Sequence, residues 1–165
     1  MKLTVFSDTH DHFDNTIKAI NIAKKEGAGD FLIHCGDICA PLTLSYIIEN
    51  WDGEIHYCFG NVDGDRLSAF KIHQNNSKVF SYREPFGKID IKGRSIAFQH
   101  YPEIAKHIAD SGMYDAVFYG HDHFKYKEYI NKTLLANPGN ICGIKHDPSF
   151  AIYDTEDNTL VHFDL

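Results

Sequence analysis

No stretch of this 165-residue chain stays apolar for the roughly 20 residues that a membrane-spanning helix needs. A helical membrane span is therefore not expected. Basic residues are scarce, with 16 Lys and Arg against 23 Asp and Glu for a formal charge of −7. Counterion release needs clustered cations, so stable binding to nucleic acid or to an anionic membrane is not expected either. The four cysteines form no C-x-x-C pair, and Cys35 and Cys39 bracket an acidic loop rather than a zinc knuckle. The opening Met1-Lys2-Leu3-Thr4-Val5-Phe6-Ser7-Asp8 meets an acid too soon to read as a signal peptide. A disulfide framework is not expected, and a reducing cytoplasm is the expected location. Repeats, low-complexity tracts and linkers are also missing, so residues 1–165 read as one domain. What the chain does have is an ordinary globular balance, 43% hydrophobic and 24% charged, and eleven histidines. Several of these lie beside Asp, Asn or Gly, the first sign of a metal site.

The first third alternates strand and helix. Strands are predicted over 2–7, 31–35 and 55–59, with helices over 14–25, capped by Asp14, and 41–50, started by Pro41. This βαβαβ order predicts a parallel sheet with right-handed crossovers. Residues 65–75 read as a helix, 84–91 and 95–99 as a hairpin around Lys92-Gly93, 102–111 as a helix and 116–119 as a strand. The remainder reads as strands over 125–130, 133–136, 150–154 and 160–163. The expectation is one α/β domain with two packed sheets flanked by helices.

The ends of these strands carry the chemistry. The first strand ends in Asp8-Thr9-His10, the second in Gly36-Asp37 and the third in Gly60-Asn61. The strand over 95–99 ends in His100, and that over 116–119 in Gly120-His121-Asp122-His123. Open α/β sheets bind ligands beyond the carboxyl ends of their strands. Carboxylates suit hard divalent ions such as Mn²⁺ or Mg²⁺, and imidazoles extend the range to Fe, Zn and Ni. A carboxylate is also a good bridge between two ions about 3.5–4 Å apart.

Taken in order, these five blocks resemble the signature of the calcineurin-like metallophosphoesterases. The short length, Asp8-Thr9-His10-Asp11-His12 and Asn137-Pro138-Gly139 resemble the small branch of that superfamily, which includes compact prokaryotic phosphodiesterases and a retromer subunit. The resemblance spans about residues 2–155. It implies a four-layer αββα sandwich of two mixed sheets flanked by helices, with two divalent ions. Manganese is the expected metal; Ni²⁺, Mg²⁺, Fe²⁺ and Zn²⁺ also suit the donors. By the resemblance, one ion takes Asp8, His10, Asp37 and His123, and the other takes Asp37, Asn61, His100 and His121, with Asp37 bridging. The implied reaction is hydrolysis of a small phosphodiester, nucleotide-derived substrates included, by a metal-bridging hydroxide, with Asn61 orienting the phosphoryl oxygens. A homo-oligomer is compatible with all of this.

Two departures stand out. Val62 occupies the place where many members have a histidine that assists phosphate binding or leaving-group protonation. Tyr101 follows His100 where Gly is usual, and reads either as part of the cleft or as packing. Without an acid at 62, the acid is His12, Asp63 acting through a water, or none, and His12 reads first as a solvated loop residue and second as a general acid. Aryl diesters should then react faster than alkyl ones. Asp122 reads as a solvent-facing or supporting residue, and Asn137-Pro138-Gly139 as a turn. Cys35, Cys39 and Cys58 read as small buried hydrophobes that could also tune metal preference. His34, His56, His73, His107, His146 and His162 read as structural. A non-catalytic scaffold of the same fold and a phosphomonoesterase are the alternative readings, and the intact ligand set argues against the first.

Overall fold

The computed structural model describes residues 1–82 and 86–165. The chain runs β1 (Lys2–Phe6), α1 (Phe13–Lys25), β2 (Phe31–His34), α2 (Pro41–Asn50), β3 (Glu54–Cys58), α3 (Arg66–Gln74) and β4 (Val79–Tyr82). It continues β5 (Gly87–Ile91), β6 (Arg94–Phe98), α4 (Pro102–Asp110), β7 (Ala116–Phe118), β8 (Lys125–Ile130), β9 (Thr133–Pro138), β10 (Ser149–Asp154) and β11 (Thr159–Asp164). One sheet has the order β11-β10-β1-β2-β3-β4 and the other β5-β6-β7-β9-β8. The strands β1 to β4 pair in parallel, as the βαβ reading predicts. Antiparallel β10 and β11 complete the first sheet, and antiparallel β5 and β8 edge the second. No helix among the described residues is long and apolar enough to cross a membrane.

Alternation along the strands sorts the core into three layers. Leu3, Val5, Phe31 and Ile33 point from the first sheet toward Ile96, Phe98, Phe118 and Ala136 of the second. Their neighbours Phe6, Leu32 and Ile152 point the other way, onto Ala19, Ile20 and Ala23 of α1 and Leu44 and Ile47 of α2. On the far side, Ala97, Val117 and Leu135 receive Ala105 and Ala109 of α4. This is the αββα sandwich expected from the resemblance.

Local departures have clear causes. The N-cap of α1 is His12, not Asp14: its Nδ1 accepts the Asn15 N–H at 3.2 Å, and Asp14 sits in the first turn. Asn137 and Pro138 belong to β9 rather than to a turn. The edge strand β4 has no counterpart in the sequence pattern because it is short and half-exposed, so it lacks a continuous apolar run. Residues 84 and 85 of the predicted hairpin lie outside the described residues; the rest forms β5 and β6, joined by Lys92 and Gly93, both at positive φ.

Candidate metal centre

The loops after β1, β2, β3, β6 and β7 meet at one rim. Their backbones are unusual. Of the eleven non-glycine residues at positive φ among those described, seven lie here: Asp8, His10, Asp11, Asp37, Cys39, His121 and His123. Such conformations cost of order 1–3 kcal/mol each and persist only where surroundings fix them. Part of that fixing is visible. Asp8 N–H donates to the Gly36 carbonyl at 3.1 Å and His10 N–H to the Asp37 carbonyl at 3.2 Å, which zips the first two loops together. Beneath them, buried His34 accepts the Gly36 N–H on Nδ1 at 3.2 Å and faces Thr9 Oγ1 with Nε2 at 3.3 Å. Burial pushes its pKa down to about 3, so it stays neutral. Asp11 ties the first loop to α2, accepting from Ala40 N–H and Thr43 Oγ1, which compensates for an N-cap residue, Ala40, with no polar side chain.

Asp63 is the anchor that the sequence concealed. Its Oδ2 accepts from Gly60 N–H at 2.6 Å and Asp37 N–H at 3.0 Å, and its Oδ1 from Cys39 N–H at 2.7 Å. Both oxygens are thus committed to backbone, which corrects the idea that Asp63 supplies a proton through a water. Asn137 braces the last loop in the same way, its Nδ2 donating to Asp122 Oδ1 at 2.6 Å and to the Gly120 carbonyl at 3.2 Å.

The seven side chains expected as ligands converge. His10 Nε2 lies 3.7 Å from Asp8 Oδ1 and 3.6 Å from Asp37 Oδ2. His123 Nε2 is 3.4 Å from Asp8 Oδ1. On the other side, His100 Nε2 is 3.3 Å from Asp37 Oδ2 and 3.0 Å from Asn61 Oδ1. His121 Nδ1 lies 2.8 Å from the same Asn61 oxygen and 3.2 Å from His100 Nε2. His12 stands apart as the exposed cap of α1. With Nδ1 engaged there, only its Nε2 is left for any leaving group.

Hydrogen bonding fixes which ring atoms face inward. His100 Nδ1–H donates to the Cys35 carbonyl at 2.9 Å and His123 Nδ1–H to the Ile144 carbonyl at 3.1 Å. In each neutral ring Nε2 then carries a lone pair aimed at a carboxylate. Lone pair facing carboxylate is repulsive unless a cation stands between them. Asp8 Oδ1 and His10 Nε2 are moreover buried with no hydrogen-bond partner among the described residues. Unpaired buried acceptors of this kind are expensive, and a divalent ion is the partner their chemistry fits. The Asp8 carboxylate beside His10, aided by that of Asp37, lifts its pKa against the effect of burial. Burial works against a charge on His100, but Asp37 and Asp8 outweigh it and raise its pKa too. Burial likewise opposes ionisation of Asp8 and Asp37, yet the surrounding histidines hold both carboxyls below their usual range.

Sulfur lies closer than expected. Cys39 Sγ is 3.4 Å from His10 Nδ1, and Cys142 with His10 and His123 places one donor atom each within 4.8 Å of the others. Cys142 was missed because it follows β9 in a loop with no motif around it. Tyr101 packs its ring against both His100 and His121, with centroids 5.1 and 5.2 Å apart, so the residue replacing the usual Gly walls the centre on that side.

Known proteins resemble the chain in sequence and in fold. Residues 1–158 match the model of the calcineurin-like phosphoesterase superfamily domain. The chain is 34% identical over 161 residues to phosphodiesterase MJ0936 of Methanocaldococcus jannaschii, covering 94% of each. Its fold superposes on a solved archaeal phosphodiesterase with a TM-score of 0.91 at 31% identity, covering all of both chains. Vacuolar protein sorting 29 from Cryptosporidium parvum shares the fold alone, with a TM-score of 0.67 at 15% identity over 99% of this chain and 98% of that one. With its five strand-end blocks, its αββα layers and a match along nearly its whole length, the chain belongs to the calcineurin-like phosphoesterase superfamily.

Proposed function

We propose that the chain is a phosphodiesterase working with two divalent ions, Mn²⁺ by preference. Asp8, His10, Asp37 and His123 would hold one, and Asp37, Asn61, His100 and His121 the other. The observation that carries this reading is the position of Asp37 Oδ2, a single carboxylate oxygen 3.6 Å from His10 Nε2 and 3.3 Å from His100 Nε2. When bound, such a pair of ions supplies Lewis acidity toward phosphoryl oxygens and a nucleophile at neutral pH.

The protein's own groups do the rest. Asn61 turns its Oδ1 toward the imidazoles, which leaves its amide N–H₂ to orient a phosphoryl oxygen. Val62 holds Asp37 through its backbone, its N–H donating to Asp37 Oδ1 at 3.0 Å, while its side chain offers no proton. With Asp63 committed to backbone amides, His12 Nε2 is the remaining candidate acid, and His12 stands apart from the seven converging side chains as the cap of α1. With no acid built in at position 62, activated aryl diesters should turn over faster than alkyl ones, and equal rates would point to an acid at the leaving group. The substrate is a small phosphodiester, with nucleotide-derived ones included. All four cysteines are free, which suits a reducing cytoplasm.

Metal-reconstituted hydrolysis tests the reading. Bis-p-nitrophenyl phosphate and p-nitrophenyl phosphate are compared with Mn²⁺, Ni²⁺ or Mg²⁺, in the wild type and in Asp37→Ala. Diester turnover that requires metal and disappears in Asp37→Ala is the expected result. Preference for the monoester would make the chain a phosphatase. Failure to hydrolyse either ester with metal fully bound would make it a scaffold.

A further inference from the structure

Immediately beyond His123 the surface forms a concavity of about 260 Å³ lined by Phe124, Lys125, His146 and Asp147. Its two rings stand perpendicular, with centroids 4.7 Å apart, and Phe124 is 54% exposed. A concave surface with an open aromatic ring beside a candidate reaction centre is a candidate wall of a ligand site.

Both walls are tied to the metal ligand. Phe124 is the next residue after His123, and its N–H donates to Asp122 Oδ1 at 3.1 Å. The opposite wall is clasped by buried Asn140, whose Nδ2 donates to the carbonyls of His123 at 3.1 Å and His146 at 3.5 Å. The His123 ring is held by the Ile144 carbonyl of the same loop. The backbones that carry the two rings are therefore anchored beside His123.

Charge narrows the occupant. Lys125 Nζ is paired with Asp164 at 2.5 Å, and Asp147 adds a negative charge to the lining. The concavity is thus poorly suited to a phosphate. A planar, uncharged group with N–H donors at its edge fits better, stacking on an aromatic face while Asp147 accepts from its edge.

We propose that this concavity binds the nucleobase of a nucleotide-derived phosphodiester, with Phe124 as a specificity-determining residue. The proposal rests on the phosphodiesterase reading and names the class of one arm of its substrate. A nucleobase is set apart from a plain alkyl arm by stacking.

The test is calorimetric binding of adenosine 5′-monophosphate and methyl phosphate to the Mn²⁺-loaded full chain, run beside turnover of bis-p-nitrophenyl phosphate. In the wild type the nucleotide should bind about tenfold more tightly, the lower range for one stacked base. Phe124→Ala should erase that advantage while leaving methyl phosphate binding in place, and Phe124→Tyr should restore it. Because Phe124 is exposed, these variants should fold, and thermal melts check this. Equal binding of the two ligands in the wild type would overturn the proposal, as would equal weakening of both in Phe124→Ala. A nucleotide preference without diester turnover would keep the subsite and remove the phosphodiesterase reading. Turnover without a preference would do the reverse.

Discussion

The two sheets bring different chemistry to the same rim. The first sheet, through the ends of β1, β2 and β3, offers three oxygen donors, Asp8, Asp37 and Asn61, and one imidazole, His10. The second, through the ends of β6 and β7, offers imidazoles only: His100, His121 and His123. Each half taken alone is incomplete. Asp37 Oδ2 meets His10 from its own sheet and His100 from the other, and Asp8 meets His10 and His123 in the same way. The distances in the centre are therefore set by how the sheets pack, through the apolar layer between them.

The largest blow to this arrangement should come from that layer. Phe98 is fully buried between the sheets, and Phe98→Ala should cost about 3–5 kcal/mol of stability, read in urea denaturation. A loss under 1 kcal/mol would mean that the sheets are held by something else. Next comes the point of contact at the rim. A Cβ on Gly120, at the end of β7, would collide with Ser7 Oγ and Asp8 Oδ2 of the other sheet. Gly120→Ala should weaken metal binding by about 100-fold, measured as metal retained per chain after dialysis. A smaller disturbance confined to the first sheet is Asp63→Asn, which leaves one side-chain oxygen to serve three backbone amides. About tenfold weaker metal binding is expected, with the fold intact by circular dichroism.

Taken per pH unit, the smallest effect on stability sharpens the contrast through pH. His34, in the first sheet beneath the centre, has a folded pKa near 3 against an ordinary 6.5. Its depressed value means that the unfolded chain binds a proton first as pH falls. Its contribution is complete above 6.5 and drains away down to about 3, by roughly 1.4 kcal/mol per pH unit within that window. His34→Gln should flatten the pH dependence of urea stability by about that slope. An unchanged slope would mean that His34 is not held neutral.

Much of this was legible without coordinates. The strand ends were readable because short apolar runs stop at Asp8, Asp37, Asn61, His100 and His121, and strand periodicity is a local signal. What escaped was cooperative. Asp63 looks like any loop acid, and only the approach of Gly60, Asp37 and Cys39 shows that its oxygens hold three amides. Residue type favours Asp14 over His12 as the cap of α1, and only the backbone path shows that the helix starts at Phe13 with His12 capping it. The contact of His146 with Phe124 is invisible in the sequence because the two lie 22 positions apart and the loop that joins them is clasped by Asn140.

By itself, the sequence determined the order of the elements, the faces that bury and the residue types at each strand end. Those follow from side-chain period and donor chemistry, which each residue carries wherever it goes. Only the tertiary structure decided that Asp37 stands between two imidazole groups, that Asp63 serves backbone rather than substrate, and that an aromatic concavity adjoins His123. Those depend on distances between residues far apart in the chain, and such distances exist only once the apolar layer between the sheets has closed.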